Sequence, residues 1–233
     1  MRAILGTTLG VAALLASLAP GALSEPGAAA SSGTTVQGVV LRAPAEASRA
    51  TQMDRYREHR VKGSEDAVDP AECNCDPGRY AVVSLTGDHL PPIRLPVQPP
   101  TMAQKDRMFE PSVLAVPVGA TVKFPNLDPF FHNVFSYSKS KRFDLGRYPA
   151  GQSQSVVFDK PGVISVFCEI HYSMRAYVHV LDTPYFAVTD DTKHFSIPGV
   201  LPGAYVLHVW QENLPEIRRA ITVGNEPLDL QIQ

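Results

Sequence analysis

Apolar and polar residues alternate in short runs along most of this chain. In the stretch "ATVKFPN", Val122 and Phe124 fall on one face of an extended segment, while Thr121 and Lys123 fall on the other. Similar runs occur in "GVISVFC" and "AYVHVLD", and the 21 prolines and 16 glycines of the chain separate one run from the next. Short β-branched and aromatic runs between turn residues are typical of all-β proteins. The pattern therefore predicts an all-β fold.

Three segments differ in their patterning. Residues 25–79 contain one strand, "TVQGVVLRA", and a segment dense in charge, residues 43–79, which we interpret as a solvated insertion. Residues 80–182 contain the clearest strands. Their "SQSVVFDKPGVISVFC" predicts a hairpin, because Pro-Gly suits the two central positions of a type II turn. Residues 183–233 alternate strands with Pro/Gly loops and predict a separate block of strands.

The N-terminus has the pattern of a secretory signal. Arg2 precedes an apolar run rich in Ala and Leu, and small residues follow at Ala22 and Ser24. We predict a signal peptide over residues 1–24, with cleavage after Ser24 or, as the alternative, after Ala30. A membrane anchor is the other interpretation of this run. No later segment is predicted to span a bilayer, so the protein is expected in the periplasm or outside the cell.

The chain has three cysteines, Cys73, Cys75 and Cys168. Exported proteins usually pair their cysteines, and an odd number leaves one unpaired within the monomer. Cys168 stands beside other metal-binding side chains, so we take it as the unpaired one, with a metal protecting its thiolate. A disulfide between Cys73 and Cys75 would be strained, because only one residue separates them. That disulfide, free thiols, an intermolecular bond and a weak second metal site all stay open.

The stretch "FCEIHYSMRAYVHV" concentrates soft and borderline metal ligands. Cys168 ends a predicted strand, His171 and Met174 follow at three-residue steps, and the chain must turn back before the strand near Ala176. A tight loop of this kind can direct several side chains at one point. His132 lies in another loop after a strand, and two strand ends at one pole of a sandwich would bring these residues together. One Cys and two His in a plane, with a weak axial Met, is the ligand set of blue copper sites.

Other interpretations of the same residues stay open on spacing alone. Zinc binds Cys and His, although structural zinc prefers four strong nitrogen or sulfur ligands and catalytic zinc keeps a water. A nucleophilic cysteine paired with His171 is a further interpretation. Met174 could instead be a core residue, and His132 a hydrogen-bonded loop residue. The spacing therefore favours copper without excluding zinc, catalysis or the absence of a metal.

Two stretches resemble the cupredoxins, the small copper β-sandwich proteins. "VKFPNLDPFFHNVFS" is similar to their strand that leads to a His-Asn pair, and "PGVISVFCEIHYSMRAYVHV" is similar to their final hairpin and ligand loop, with the short spacing of amicyanin. The resemblance implies one mononuclear copper ion held by His132, Cys168 and His171, with Met174 as the axial ligand. It also implies that Asn133 ties the two ligand loops together and tunes the sulfur by hydrogen bonding.

The C-terminal stretch "TDDTKHFSIPGVLPGAYVLHVW" resembles the transthyretin-like domains found beside carboxypeptidases, which implies a small sandwich without chemistry of its own. "TVQGVVL" and "YAVVSLTG" are similar to the opening strands of such a domain. Under one hypothesis, the copper-binding segment is inserted into this sandwich. Under the rival hypothesis, "YAVVSLTG" is the first strand of the copper-binding sandwich. Exported proteins with this order resemble the loosely named "methylamine utilization" proteins of bacteria, an analogy that does not fix a partner.

The resemblance implies an exported electron carrier rather than an enzyme. Its partner would be a transient redox protein, such as a c-type cytochrome or a dehydrogenase. A formal net charge of −2 gives no reason to expect a nucleic-acid partner. The alternative function is copper delivery or buffering, which differs from electron transfer because the copper must be released to an acceptor.

Overall fold

The computed structural model describes residues 33–42, 79–171 and 173–233. Residues 1–24 of the predicted signal and nearly all of the charged segment 43–79 lie outside these ranges, as do Cys73 and Cys75. Within the described ranges the chain is built from β-strands, which confirms the predicted all-β class. In this part of the chain, no helix has the length and apolar character needed to cross a membrane.

The strands are numbered along the chain. Their bounds are β1 (Thr34–Val40), β2 (Ala81–Thr86), β3 (Ala103–Lys105), β4 (Met108–Glu110), β5 (Val113–Pro117), β6 (Ala120–Pro125), β7 (His132–Ser138), β8 (Lys141–Tyr148), β9 (Ser153–Phe158), β10 (Gly162–Phe167), β11 (Arg175–Leu181), β12 (Phe186–Val188), β13 (His194–Val200), β14 (Gly203–Gln211), β15 (Ile217–Val223) and β16 (Leu228–Ile232).

The first sandwich is formed by the strands from β3 to β11. Its larger sheet has the order β5-β11-β10-β7-β8, and β6 pairs with β9 in a facing two-stranded sheet. The alternation of apolar and polar residues in the sequence matches the burial of the strands. Val122 and Phe124 of β6 are fully buried and share one apolar cluster with Ile164 and Val166 of β10. Cys168 and Met174 belong to that same cluster. The core therefore extends directly beneath the ligand loop.

The second sandwich combines strands from both ends of the described chain. One of its sheets has the order β13-β1-β16, and the other has the order β12-β2-β14-β15. Strand β1 is antiparallel to β13 and parallel to β16. Strand β2 lies between β12 and β14. Of the two arrangements predicted from the sequence, the structure therefore has the one in which the first sandwich is inserted into the second.

The pairing of strand β2 shows that one predicted domain boundary is misplaced. The division at residue 80 assigns this strand to the copper-binding sandwich, whereas its hydrogen-bonded neighbours, β12 and β14, lie in the second sandwich. The strand is buried on both faces: Val83 and Leu85 pack in the core of the second sandwich, and Val82 packs against the first. A run that is apolar on both faces suits a central strand of either sheet. Its sequence could not tell which one it joins.

The predicted hairpin around Pro161 and Gly162 is wrong. Gly162 has a φ of 138° and is already the first residue of β10, while β9 pairs with β6 and β10 pairs with β7 and β11. The two strands thus cross from one sheet to the other instead of pairing with each other. The packing of the two sheets, and not the local Pro-Gly sequence, decides which partner each strand pairs with.

The two sandwiches contact each other along β11 and β2. Val82, Val113 and Leu181 form a small buried apolar cluster there, and Trp210 packs against it. The Trp210 ring is also edge-on to Tyr177, with ring centroids 5.3 Å apart. Strand β11 therefore has two apolar neighbours, the first core on one face and the second sandwich on the other.

Candidate metal centre

The candidate ligands stand at the ends of neighbouring strands. His132 is the first residue of β7, and Cys168 directly follows β10. Residues 168–174 form the loop between β10 and β11, which pair up to Phe167 and Arg175. The Met174 N–H donates to the His171 carbonyl at 3.0 Å and so tightens this loop. Because β7 and β10 are adjacent in one sheet, their ends meet at the same pole of the sandwich.

Three predicted metal ligands converge there. The ligand atoms of His132, Cys168 and His171 all lie within 4.8 Å of one another. The two imidazole Nδ1 atoms are 3.0 Å apart, and Cys168 Sγ lies 3.7 Å from His132 Nδ1. His132 and Cys168 are fully buried, and His171 is 9% exposed. Residues 36 and 39 positions apart in the chain thus form one compact group of a thiol and two imidazoles.

This group fits a single metal ion. Bonds of about 2.0–2.3 Å from one ion to nitrogen and sulfur place two such donors roughly 3–4 Å apart. The observed separations of 3.0 and 3.7 Å lie in that range. A thiolate with two imidazoles is a soft-to-borderline donor set, which copper accepts in either oxidation state. The geometry therefore suits one ion held by these three side chains.

His132 is held by a buried carboxylate that the sequence analysis missed. Its Nε2 lies 2.8 Å from Asp128 Oδ2, while the backbone N–H groups of Asp106 and Arg107 donate to the two carboxylate oxygens at 2.7 and 3.0 Å. Burial raises the pKa of Asp128, but hydrogen bonds from Arg107, His132 and Asp106 outweigh it, so that the pKa lies below its usual value. A carboxylate at this position keeps the proton of His132 on Nε2. The Nδ1 lone pair then faces Cys168 and His171.

Asn133 connects the two ligand segments. Its Oδ1 accepts a hydrogen bond of 2.7 Å from the backbone N–H of Glu169, the residue after Cys168. Asn133 itself is buried, so this bond is shielded from water. The contact ties the start of β7 to the ligand loop, as the resemblance implies. The effect of Asn133 on the sulfur stays a prediction.

Met174 and Phe130 complete the surroundings of the group. Met174 is fully buried in the cluster that contains Cys168, and its role as axial ligand stays a prediction. The Phe130 ring lies 5.1 Å from the His132 ring and 5.2 Å from the His171 ring. The Arg107 guanidinium also lies 5.3 Å from the Phe130 centroid. The imidazoles are therefore packed against an apolar ring at the pole.

Residues 100–181 match the family of copper binding proteins, plastocyanin/azurin family. The match spans strands β3 to β11, which are the strands of the first sandwich, and it includes all the candidate ligands. It therefore decides between the metals that spacing alone left open. The donor set and this match together assign one copper ion to the plastocyanin/azurin-like segment.

Solved structures similar to the chain include copper proteins. A copper-containing nitrite reductase from Thermus scotoductus is 28% identical, with a TM-score of 0.35; the match covers 36% of this chain and only 22% of that one. An amicyanin variant in its reduced Cu(I) form is 24% identical, with a TM-score of 0.34, over 36% of this chain and 82% of amicyanin. A purple cupredoxin from Nitrosopumilus maritimus is 29% identical, with a TM-score of 0.30, over 33% and 84%. No curated protein matches the chain.

Proposed function

We propose that this chain is an exported electron carrier with one blue copper site. In this proposal His132, Cys168 and His171 are the equatorial ligands and Met174 is the axial ligand. The observation that carries the proposal is the convergence of one thiol and two imidazole nitrogens within 4.8 Å at a buried pole of the sandwich. A copper ion held there supplies one-electron chemistry by alternating between Cu(II) and Cu(I).

Protein groups outside the ligand set hold these side chains in place. The Asp128 carboxylate orients His132, and the Asn133 amide fixes the loop that carries Cys168. The ligands stand on or beside strands whose side chains are packed in the core. Groups that are locked by packing and by hydrogen bonds change position little between two charge states. Such a site favours rapid electron exchange over release of the ion.

Electrons would enter and leave at His171. It is the ligand nearest to solvent, since His132 and Cys168 are fully buried and His171 retains 9% exposure. Large apolar side chains lie exposed near this pole at Phe131 and Leu127, which are 53% and 59% exposed. A transient redox partner, a c-type cytochrome or a dehydrogenase, would dock there through a small interface, below about 1,200 Å² as in weak redox encounters.

The same proposal makes the protein a carrier and not an enzyme. Four protein ligands around one ion would leave no coordination position for a substrate, unlike catalytic metal sites with an open position. We place the mature protein in the periplasm or outside the cell, on the secretory pattern of residues 1–24. The second sandwich would be a transthyretin-like domain that supplies no ligand to the copper ion.

Visible absorption after addition of Cu(II) to the purified mature protein tests the site. The parent should develop an intense blue band from the thiolate-to-copper transition, and the Cys168→Ser variant should not. The Met174→Leu variant tests the axial ligand, because it should keep the blue colour while shifting the reduction potential. A colourless parent would refute the blue copper site, and an unchanged potential in Met174→Leu would refute the axial role.

Retention of the metal distinguishes electron transfer from copper delivery. The Cu(I) protein is mixed with an apo-acceptor of higher copper affinity, and the metal content of both proteins is followed over time. A carrier with buried ligands should keep its copper through many cycles of oxidation and reduction. Rapid, complete transfer to the acceptor would refute the carrier function and establish delivery instead.

A further inference from the structure

The strand that leaves the ligand loop is held by the second sandwich. Arg175 directly follows Met174. Its guanidinium forms a bidentate ion pair with Glu212, the residue after β14. Nη1 lies 2.9 Å from Oε1, and Nη2 lies 3.3 Å from Oε2. This ion pair joins the C-terminal end of the ligand loop to a strand end of the other sandwich.

A second donor from β11 reaches the same carboxylate. The Tyr177 hydroxyl donates to Glu212 Oε1 at 2.7 Å. Burial and the charge of Glu212 raise the pKa of Tyr177, so the phenol keeps its proton and acts as the donor. Arg175 and Tyr177 are two positions apart, so both point to the same side of β11. Ala176 and Val178, on the other side, pack in the first core.

The ion pair is shielded from water. The side chains of Arg175 and Glu212 are 12% and 2% exposed. Removing one member of a buried pair leaves the other charged and unpaired, which is strongly destabilising, whereas replacing both by apolar residues is often tolerated. Glu212 is therefore fixed tightly in position, and it fixes Arg175 in turn. An exposed pair at the same place would hold the loop far less firmly.

This contact bears on the metal centre through the backbone. Arg175 is covalently joined to Met174, and the Met174 carbonyl accepts a long hydrogen bond, 3.4 Å, from the Cys168 N–H. A shift at Arg175 therefore moves both ends of the ligand loop. The first sandwich anchors the start of this loop through Asn133, and the second sandwich anchors its end through Glu212.

We propose that Glu212 is a positioning residue for the copper site, acting through Arg175 on the ligand loop. This inference rests on the proposed function, since it needs copper at that loop. It assigns the second sandwich a role in the redox centre although the sandwich supplies no ligand. Groups that orient metal ligands from outside typically contribute about 10–100-fold to metal affinity.

The Glu212→Gln variant of the full chain tests this inference, with Glu216→Gln as the matched control. Glu216 lies in the same sandwich and forms ion pairs with His208 and Arg218 there. For each copper-loaded protein we would measure the visible spectrum, the reduction potential and the copper affinity in competition with a chelator. Glu212→Gln should lose about tenfold in affinity and shift both its absorption bands and its potential. Glu216→Gln should match the parent in all three.

A second variant covers the case in which Glu212→Gln does not fold. The double variant Arg175→Met/Glu212→Leu removes both buried charges and should fold, yet it lacks the ion pair and should show the same spectral and potential shifts. Folded variants with the parent's spectrum, potential and affinity would overturn the inference, even with a lowered melting temperature. A parent without a blue band would instead refute the proposed function, and this inference with it.

Discussion

Imidazole nitrogens shielded from water lie in two regions of this molecule, and their surroundings differ. At the metal centre, His132 has Asp128 on its Nε2 side and faces His171 and Cys168 with Nδ1. Between the sandwiches, the His179 ring lies edge-on to Trp210 at 5.4 Å, and its buried Nδ1 has no hydrogen-bond partner among the described residues. A histidine nitrogen that is shielded from water is therefore not by itself evidence of a metal ligand. Orientation by a carboxylate and convergence with other donors distinguish the first region from the second.

The two regions also differ in how the imidazole responds to protonation. Burial lowers the pKa of His179 to about 4, and the nearby charge of Glu216 offsets this only in part. An uncharged imidazole is therefore built into the boundary between the sandwiches. At the metal centre, by contrast, the imidazole nitrogens are oriented so that they can bind a cation.

Replacement of a histidine in each region should give the sharpest contrast. His132→Gln removes a ligand from the centre, so addition of Cu(II) should no longer produce the parent's thiolate-to-copper band. His179→Gln leaves the group of donor atoms intact and should keep that band. Visible absorption of both variants under identical copper loading checks this. A His132→Gln variant as blue as the parent, or a colourless His179→Gln variant, would contradict this difference between the two regions.

Acid should destabilise the protein through His179. Its folded pKa of about 4 lies below the usual histidine pKa of 6.5, so the unfolded state binds more protons between these two values. The contribution of His179 is thus fully present above pH 6.5 and is lost as the pH falls toward about 4. The slope reaches about 1.4 kcal/mol per pH unit, or roughly 3 kcal/mol in total.

Urea unfolding of the metal-free protein across this pH range measures that slope. The other histidines and carboxylates titrate as well, so the informative quantity is the difference between the parent and His179→Gln. The variant should lose less stability than the parent between pH 6.5 and 4. Parallel curves for the two proteins would contradict the assignment of the slope to His179.

Loss of the carboxylate behind His132 should weaken the centre without abolishing it. In Asp128→Asn the amide no longer favours the tautomer with its proton on Nε2, so we expect copper affinity to fall by about 10–100-fold while the blue band persists. Competition with a chelator measures the affinity. Asp159→Asn is the matched control, since Asp159 pairs with Lys141 at the surface and its side chain is 57% exposed. Equal affinities in the two variants would mean that Asp128 does not orient His132.

The smallest effect is expected for an ion pair beside the ligand loop. Arg147 Nε lies 2.6 Å from Glu169 Oε1, but these side chains are 65% and 42% exposed. Water and salt screen such a pair, so Arg147→Ala should change the free energy of unfolding by only about 0.5 kcal/mol or less. Chemical denaturation measures this, and the visible spectrum should stay that of the parent. A loss well above 1 kcal/mol would show that solvent exposure does not separate this pair from the Arg175–Glu212 pair.

The all-β fold and the ligand loop could be predicted because both depend on short-range patterns. Alternation with period two reveals which side chains of β6 are buried. The three-residue steps from Cys168 to His171 and Met174 place ligands on one tight loop. The arrival of His132 at the same point was predictable only through the resemblance and the general geometry of sandwich poles.

Asp128 and Glu212 could not be found in this way. The partner of Asp128 is only four positions away, but a carboxylate in a turn usually faces solvent, and only the fold shows that this one is buried under His132. Glu212 meets Arg175 across 37 positions of sequence, after two sandwiches have packed together. No local sequence pattern indicates the role of either residue, because that role depends on contacts with distant segments of the chain.

The amino-acid sequence by itself determined the strand pattern, the ligand loop and the chemical softness of its donors, since these follow from backbone periodicity and from the side chains present. The tertiary structure alone decided that β2 joins the second sandwich, that β9 and β10 pair in different sheets, and that Glu212 forms an ion pair with Arg175 at the end of the ligand loop. Strand pairing and buried charge pairs depend on surfaces contributed by distant segments. Their energies are set only when the packed sheets exclude water.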